Sequence, residues 1–221
     1  MTGADQALVR RYTRGDRAGV RRIYGDDRYA RPALNRRYCG YAEYLADTMS
    51  YYTDYEPESA LVAAVGDEVV GALLGAVDTE RCNRITDERV RPLVRRRCLR
   101  GDYGWPGWLL ANVITDIASF NVPRPPVDLG RYPAHLHIGV AEAWQRRGVG
   151  TRLMERFISD LRERGAPGLH LYASSFNWKG AAFYRKLGLE VLGQFHWRLH
   201  DGERLRPVTE IVFGMALGGV Q

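Results

Sequence analysis

Lysine is almost missing from this chain: Lys179 and Lys186 are the only two, and arginine supplies the other thirty cations. Such a bias fits either a genome that uses arginine for every surface cation or a need for the planar guanidinium, which grips phosphate with two donors. Cysteine is scarce as well. Cys39, Cys82 and Cys98 are too few and too irregularly spaced to staple a secreted scaffold or to build a zinc knuckle. Reduced thiols in a cytoplasmic protein are the expectation, and no metal is expected. Met1 to Asp5 lack the basic start and apolar run of a secretory leader. The longest apolar stretch, Trp105 to Val122, contains Asn112 and Asp116 and falls short of the roughly 20 apolar residues of a spanning helix. Nor is there a long block of one charge sign. Acids such as Asp26, Asp27, Glu155, Asp160 and Glu163 are interspersed with the arginines, so the net charge of +6 does not mark a nucleic-acid tail.

What is present reads as globular. Hydrophobic residues make up 45% and charged ones 26% of 221 residues, enough to close one core of ordinary size. Leu8 to Tyr12 predicts a short strand, and Gly15-Asp16 a turn and cap for a helix through Arg22 and Ile23. Tyr41, Tyr44, Leu45 and Thr48 fall on one helical face. Core packing explains such a stripe, although Tyr38, Tyr41, Tyr51, Tyr52 and Tyr55 could also line a substrate mouth. Ser59 to Val65 and Glu68 to Val77 form a hairpin about Gly66-Asp67. Thr79 to Arg100 is charged and helical, Trp105 to Ser119 has a helical period, and Pro123, Pro125, Pro126 and Pro133 make a connecting loop. Beyond it come a strand over His135 to Val140, a helix over Thr151 to Arg164, a strand over Leu169 to Ala173, and a helix capped by Asn177 and closed by Gly188. Strands over Leu189 to Leu199 and Ile211 to Leu217 complete the chain. This order predicts an α/β fold around a mixed sheet.

The chemistry concentrates in Gln145-Arg146-Arg147-Gly148-Val149-Gly150-Thr151. Two glycines let the backbone turn sharply, and a helix begins directly after them, so unpaired N–H groups and the positive end of the helix dipole converge on one point. A pyrophosphate suits that point. The Walker loop is excluded because no lysine follows the glycines. A dinucleotide fingerprint is excluded because bulky Leu153 stands where a third small residue is needed.

The remaining pattern, Gln/Arg-x-x-Gly-x-Gly between a strand and a helix, resembles the GNAT superfamily of acetyl-CoA-dependent N-acetyltransferases. The Asn177-capped helix and the run Ala182-Phe183-Tyr184-Arg185-Lys186-Leu187-Gly188-Leu189 are similar to that family in order and spacing. The likeness spans residues 132 to 195 and, more loosely, 8 to 78. Arg131-Tyr132-Pro133-Ala134-His135-Leu136-His137-Ile138, with Trp105-Pro106-Gly107-Trp108 upstream, resembles the acetyltransferase-like C-terminal domain of O-GlcNAcase and its free-standing bacterial relatives. The resemblance implies a single GNAT-like domain over residues 1–221, with a central mixed, mostly antiparallel sheet flanked by helices. Its parts would be an N-terminal half (8–78), a helical and loop insertion (79–131) and a cofactor-binding half (132–217).

By the same resemblance, the backbone of Gln145, Arg146, Arg147, Gly148, Val149, Gly150 and Thr151 would hold the pyrophosphate of acetyl-CoA. Val140 would pair with the pantetheine arm and polarise the thioester carbonyl, and Asn177 would contact the arm. Tyr184 occupies the position of the acid that protonates the departing thiolate; a core tyrosine is the alternative. His135 and His137 lie two apart on one strand and so share a face. They resemble the paired-histidine strand of arylalkylamine N-acetyltransferases, which relays the amine proton, but stand one residue nearer the glycine loop, which reverses the face unless a bulge intervenes. Two half-buried histidines bonded to neighbours account for the pair equally well, and Asp116 and Glu142 are the fallback carboxylates. The implied function is direct transfer of the acetyl group of acetyl-CoA to a primary amine, on a small molecule or a protein lysine, in a ternary complex. The alternative is a catalytically silent module that binds acetyl-CoA or a peptide. The expected partners are acetyl-CoA and an amine acceptor, with neither nucleic acid nor membrane; a homodimer is left open.

Overall fold

Aliphatic and β-branched residues on either side of Gly66-Asp67 pair as a hairpin, β2 (Ala60–Val65) and β3 (Glu68–Ala76), in a computed structural model that describes residues 7–25, 40–104, 125–200 and 204–218. The short β1 (Leu8–Arg11) lies antiparallel on β2, and β4 (Ala134–Val140) lies antiparallel on β3. Next comes β5 (Gly168–Ser174), parallel to β4. Then β7 (Leu205–Ala216) and β6 (Glu190–His200) close the far edge as an antiparallel pair. One sheet of seven strands, ordered β1-β2-β3-β4-β5-β7-β6, therefore joins both halves of the chain. β7 starts at Leu205, well before the strand expected from Ile211, despite Pro207. The missing N–H does no harm there: β5 pairs with β7 only as far as Glu210, so at Pro207 only β6 is bonded to it.

One face is covered by α6 (Val149–Glu163) and α7 (Trp178–Lys186), whose Leu153, Met154, Phe157, Ala181 and Tyr184 pack on Leu136, Leu171 and Phe213. The other face is covered by α1 (Arg17–Tyr24), α2 (Tyr41–Thr48), α3 (Ser50–Asp54) and α4 (Thr79–Ile85). Through a π-helical turn, Thr86–Val90, α4 runs on into α5 (Arg91–Arg100), which Gly101 ends in a left-handed conformation. Its core holds Tyr51, Tyr52, Val62, Leu74, Cys82, Val90, Val94 and Tyr103. The tyrosine segment thus serves largely as packing, each fully buried aromatic ring being worth about 1.5–3 kcal/mol.

The long helical arm is fixed at both ends. At its root the Asp78 carboxylate caps the Arg81 N–H at 2.9 Å, and buried Glu56 accepts from Tyr51 Oη at 2.6 Å and from the Val77 N–H at 2.8 Å. At its tip buried Asp47 receives Arg97, Arg21 and the Tyr103 hydroxyl, tying α5 to α1 and α2. The helix expected over Trp105 to Ser119 lies outside the described residues, as do Cys39, Tyr38, Asp116, Pro123 and the Trp105 to Trp108 motif. Among the described residues no helix is long and apolar enough to cross a membrane.

Candidate functional site

The sheet opens beside β4. β4 and β5 are paired only at Ala134–Leu169 and His135–His170, and beyond that point they diverge. On the other side β4 is bonded to β3 without a register break from His135 to Val140, and the Ala141 N–H continues the ladder to the Val70 carbonyl at 2.9 Å. Alternation along an antiparallel ladder then turns the N–H and C=O groups of Leu136, Ile138 and Val140 away from β3, toward the opening. Gln145 Nε2 donates to the Val140 carbonyl at 3.2 Å, and this leaves the Val140 N–H for a ligand laid along the strand.

At the top of the opening the chain passes through a 3₁₀ turn, Glu142–Trp144, and into the glycine loop. Arg146 (φ 61°) and Gly148 (φ 76°) are both left-handed, so the loop curls around a point ahead of α6. Gly148 is the N-cap residue and supplies no side-chain cap, leaving the first N–H groups of a 15-residue helix for an anion. The helix begins at Val149, two residues before the expected start, which places Gly150 inside its first turn. A Cβ on Gly150 would meet Phe183 Cζ at 3.5 Å, an ordinary contact, so the fold itself does not demand glycine there. The Arg147 guanidinium lies over the Trp144 ring at 5.1 Å from its centroid. Arg152, one turn into α6, donates to the Ala7 carbonyl at 3.3 Å.

Asn177 caps α7 as expected, its Oδ1 accepting from the Gly180 N–H at 3.0 Å; the Nδ2 end of the amide remains a donor. Two turns on, Tyr184 sits against Phe183 and Phe213 with ring centroids 5.4 and 5.7 Å away. Burial raises its pKa to about 12, so the phenol keeps its proton at neutral pH. Across the sheet, the Tyr24 hydroxyl lies 2.9 Å from the Ala72 carbonyl and 2.8 Å from that of His137, and its ionisation is disfavoured by burial and then by Tyr184.

His135 and His137 share one face of β4, the face of α3 and α4, opposite to that of Tyr184. No bulge in β4 alters this, so the one-residue offset from the family pattern stands; the breaks in ladder register fall in the β2–β3 and β6–β7 pairs instead. The two rings have different surroundings. His135 is held at both nitrogens, with Nε2 2.8 Å from Tyr52 Oη and Nδ1 2.7 Å from Thr79 Oγ1. Thr79 gives its one hydroxyl proton to the Pro133 carbonyl at 2.6 Å. Nδ1 must therefore donate to Thr79, and the neutral ring accepts from Tyr52 at Nε2. Burial, with His137 and His170 beside it, lowers the His135 pKa to about 3. The His137 ring has only aromatic contacts, to Tyr52 at 5.4 Å and His135 at 6.2 Å, and among the described residues no hydrogen bond engages that ring. Desolvation lowers its pKa, so it too is neutral at pH 7. His170 completes the row, 5.7 Å from His135 between ring centroids, its Nδ1 donating to the Tyr132 carbonyl at 2.8 Å. Among the described residues no three such side chains are placed to hold a metal ion.

The structure thus brings the glycine loop to the end of β4, where Gln145 bonds Val140, and places Asn177 and Tyr184 on α7, on the sheet face that α6 also covers, with His135 and His137 on the other face. Glu142 is exposed in the turn beyond β4, on the loop side. Of the tyrosines considered for a substrate mouth, Tyr52 reaches the histidines, Tyr51 is core, and Tyr55 stacks on Tyr51 at 6.3 Å. Thr79, Tyr24 and His170 carried no sequence signal of their own beyond the third histidine standing in a strand.

Residues 117–191 match the acetyltransferase (GNAT) domain family. Among solved structures, SsHAT is 27% identical over 96% of this chain and 99% of its own, with a TM-score of 0.67. The yncA protein of Salmonella typhimurium, solved with its cofactor acetyl-CoA, is 15% identical over 98% and 97% of the two chains, with a TM-score of 0.58. An agmatine N-acetyltransferase is 17% identical over 96% and 100%, again with a TM-score of 0.58. The chain has the GNAT acetyltransferase fold.

Proposed function

We propose that the protein transfers the acetyl group of acetyl-CoA directly to a primary amine. The observation that carries this reading is the opening beside β4, with outward-facing strand groups at its side and an uncapped helix N-terminus at its top. A pantetheine arm can lie along β4 as an added strand there. The N–H groups of Arg146 to Thr151 then meet the pyrophosphate, the Val140 N–H meets the thioester carbonyl, and Asn177 Nδ2 meets the arm.

In the transfer, a neutral amine attacks the thioester carbonyl carbon, the C–S bond breaks, and two protons must move. The amine proton goes to His137, the neutral imidazole of the pair, whose ring no hydrogen bond engages among the described residues. The thiolate takes the proton of Tyr184, which burial keeps protonated. Acid and base stand on opposite faces of the sheet and act on the same centre only through the gap between β4 and β5. His135, bonded at both nitrogens, holds the row rather than taking the proton.

The narrower kinship to the acetyltransferase-like domain of O-GlcNAcase belongs to this proposal. It is supported by Arg131 to Ile138, where the Pro133 carbonyl and His135 build the chain that ends on Tyr52.

Acetyl-CoA at about 100 times its Kd should raise stability by ~2.7 kcal/mol, and free thiol should appear when an amine is added. No stabilisation would sink the reading. Stabilisation without thiol release across a broad amine panel would leave a silent binding module.

A further inference from the structure

The net charge of this chain is concentrated in one element. Between Thr79 and Arg100 eight arginines stand against three carboxylates, so the α4–α5 arm carries +5 of the chain's +6. Three of the eight are neutralised: Arg81 by Glu56 at 3.5 Å, Arg91 by Asp87 at 2.8 Å, and Arg97 by Asp47 and Asp102. Arg84, Arg89, Arg95, Arg96 and Arg100 are exposed, and among the described residues nothing pairs with them. The helix dipole favours cations only within the last turn, which accounts for Arg100 but not for Arg84 or Arg89. On α6, by contrast, Arg156 is paired with Asp160 one turn away.

Arg89, Arg96 and Arg100 fall at helical spacing on one exposed stripe, with Arg95 beside Arg96 and Arg84 in the turn before the π-helical segment. The distance from Arg84 to Arg100 is about 24 Å along the axis, far longer than a small amine. Exposed leucines lie among the arginines, Leu93 at 37% and Leu99 at 83%. The arm is also rigid, held by Glu56 and Pro133 at its root and by Asp47 at its tip.

We propose that this arm is a docking surface for an acidic polypeptide, and that the docked polypeptide carries the acceptor amine. The charge calls for a polyanion. Leucines among the arginines and the lack of any aromatic on the arm fit a polypeptide better than a nucleic acid, whose single strands stack on aromatic platforms. The root of the arm meets the candidate site, since Thr79, its first residue, bonds His135 at 2.7 Å. A chain bound along the arm therefore reaches β4. Docking is independent of catalysis; the acceptor clause rests on the acetyl-transfer reading above.

The probe is a fluorescein-labelled peptide of alternating Glu and Leu with one lysine, followed by anisotropy at 50 and 200 mM NaCl. Binding is expected to weaken with salt and to fall at least about tenfold when Arg84, Arg89, Arg95, Arg96 and Arg100 are all changed to Gln. The matching set of five Arg→Lys changes should restore most of it, and acetyl-CoA should stabilise all three proteins equally. Unchanged binding by the Gln variant, no binding at 50 mM, or a DNA duplex of equal charge binding more tightly than the peptide would each overturn the docking proposal. For the acceptor clause, thiol release from acetyl-CoA should have a kcat/KM at least about tenfold higher with this peptide than with its Glu→Gln counterpart. If small amines are acetylated and the bound peptide is not, that clause fails. If no amine of any kind releases thiol, the acetyl-transfer reading fails, and docking is judged by anisotropy alone.

Discussion

The Tyr52 hydroxyl stands 2.8 Å from His135 Nε2, and its direction of donation is set on the far side of the ring, where Thr79 gives its proton to the Pro133 carbonyl. Every proton in this row has one place. Thr79→Val would strand the Nδ1–H of a largely buried ring, which costs about 1–3 kcal/mol. Thr79→Ser keeps the hydroxyl and should recover most of that. Urea unfolding of the three proteins checks the order of donors; a Val variant as stable as the wild type would remove it.

The same row separates two histidines that the sequence could only treat as a pair. His137→Gln is expected to lower kcat about 10²-fold, the lower range for loss of a proton acceptor, with acetyl-CoA affinity unchanged. His135→Gln should act mainly on stability. Steady-state kinetics with a small amine, at pH values where both variants are folded, decides between them. A slower His135 variant would reverse the assignment.

Tyr184 packs on the sheet face opposite to the histidines. Tyr184→Phe keeps the ring packing on Phe183 and Phe213 and removes only the hydroxyl. Turnover should fall about 10²-fold with little change in the acetyl-CoA thermal shift. Undiminished turnover would return Tyr184 to a purely structural role.

Local signals in the sequence were enough for the frame of the site. Gly148 turns into a helix, Asn177 caps Gly180, and His135 to Val140 alternates, because each of these depends on neighbours within a few residues. Partnerships across long stretches of chain were not legible. Thr79 meets His135 across 56 positions, and Asp47 gathers Arg97 and Tyr103 from the end of the arm. Nor was the left-handed Arg146 legible, since a non-glycine residue gives no hint that the loop will impose a positive φ on it. The choice of face was lost for a related reason: spacing shows that His135 and His137 agree with each other, not that Tyr184 opposes them.

The two loop glycines should fail differently. Gly148 is left-handed, so Gly148→Ala costs roughly 1–2 kcal/mol before any ligand is considered. Gly150 has ordinary helical geometry with room for a methyl group. Gly150→Ala should fold at least as well as the wild type yet lose acetyl-CoA stabilisation, because the new Cβ blocks close approach of the pyrophosphate. Thermal unfolding with and without acetyl-CoA separates the two effects. A Gly150→Ala protein that keeps the full ligand shift would mean that the pyrophosphate does not lie against that backbone.

Acid should weaken the fold before the carboxylates titrate. His135 has its pKa lowered from 6.5 to about 3, so between those values the unfolded chain takes up a proton that the folded chain refuses. Its contribution is complete above pH 6.5 and is lost as pH falls toward 3, at up to about 1.4 kcal/mol per pH unit. His137 and His170, whose pKa values are lowered as well, tilt stability the same way. Urea midpoints at pH 7.5, 6.0 and 5.0 should therefore fall steadily, and His135→Gln should flatten the slope by about one proton's worth. An unchanged slope in that variant would show that His135 takes up a proton in the folded protein, contrary to its two hydrogen bonds and its burial.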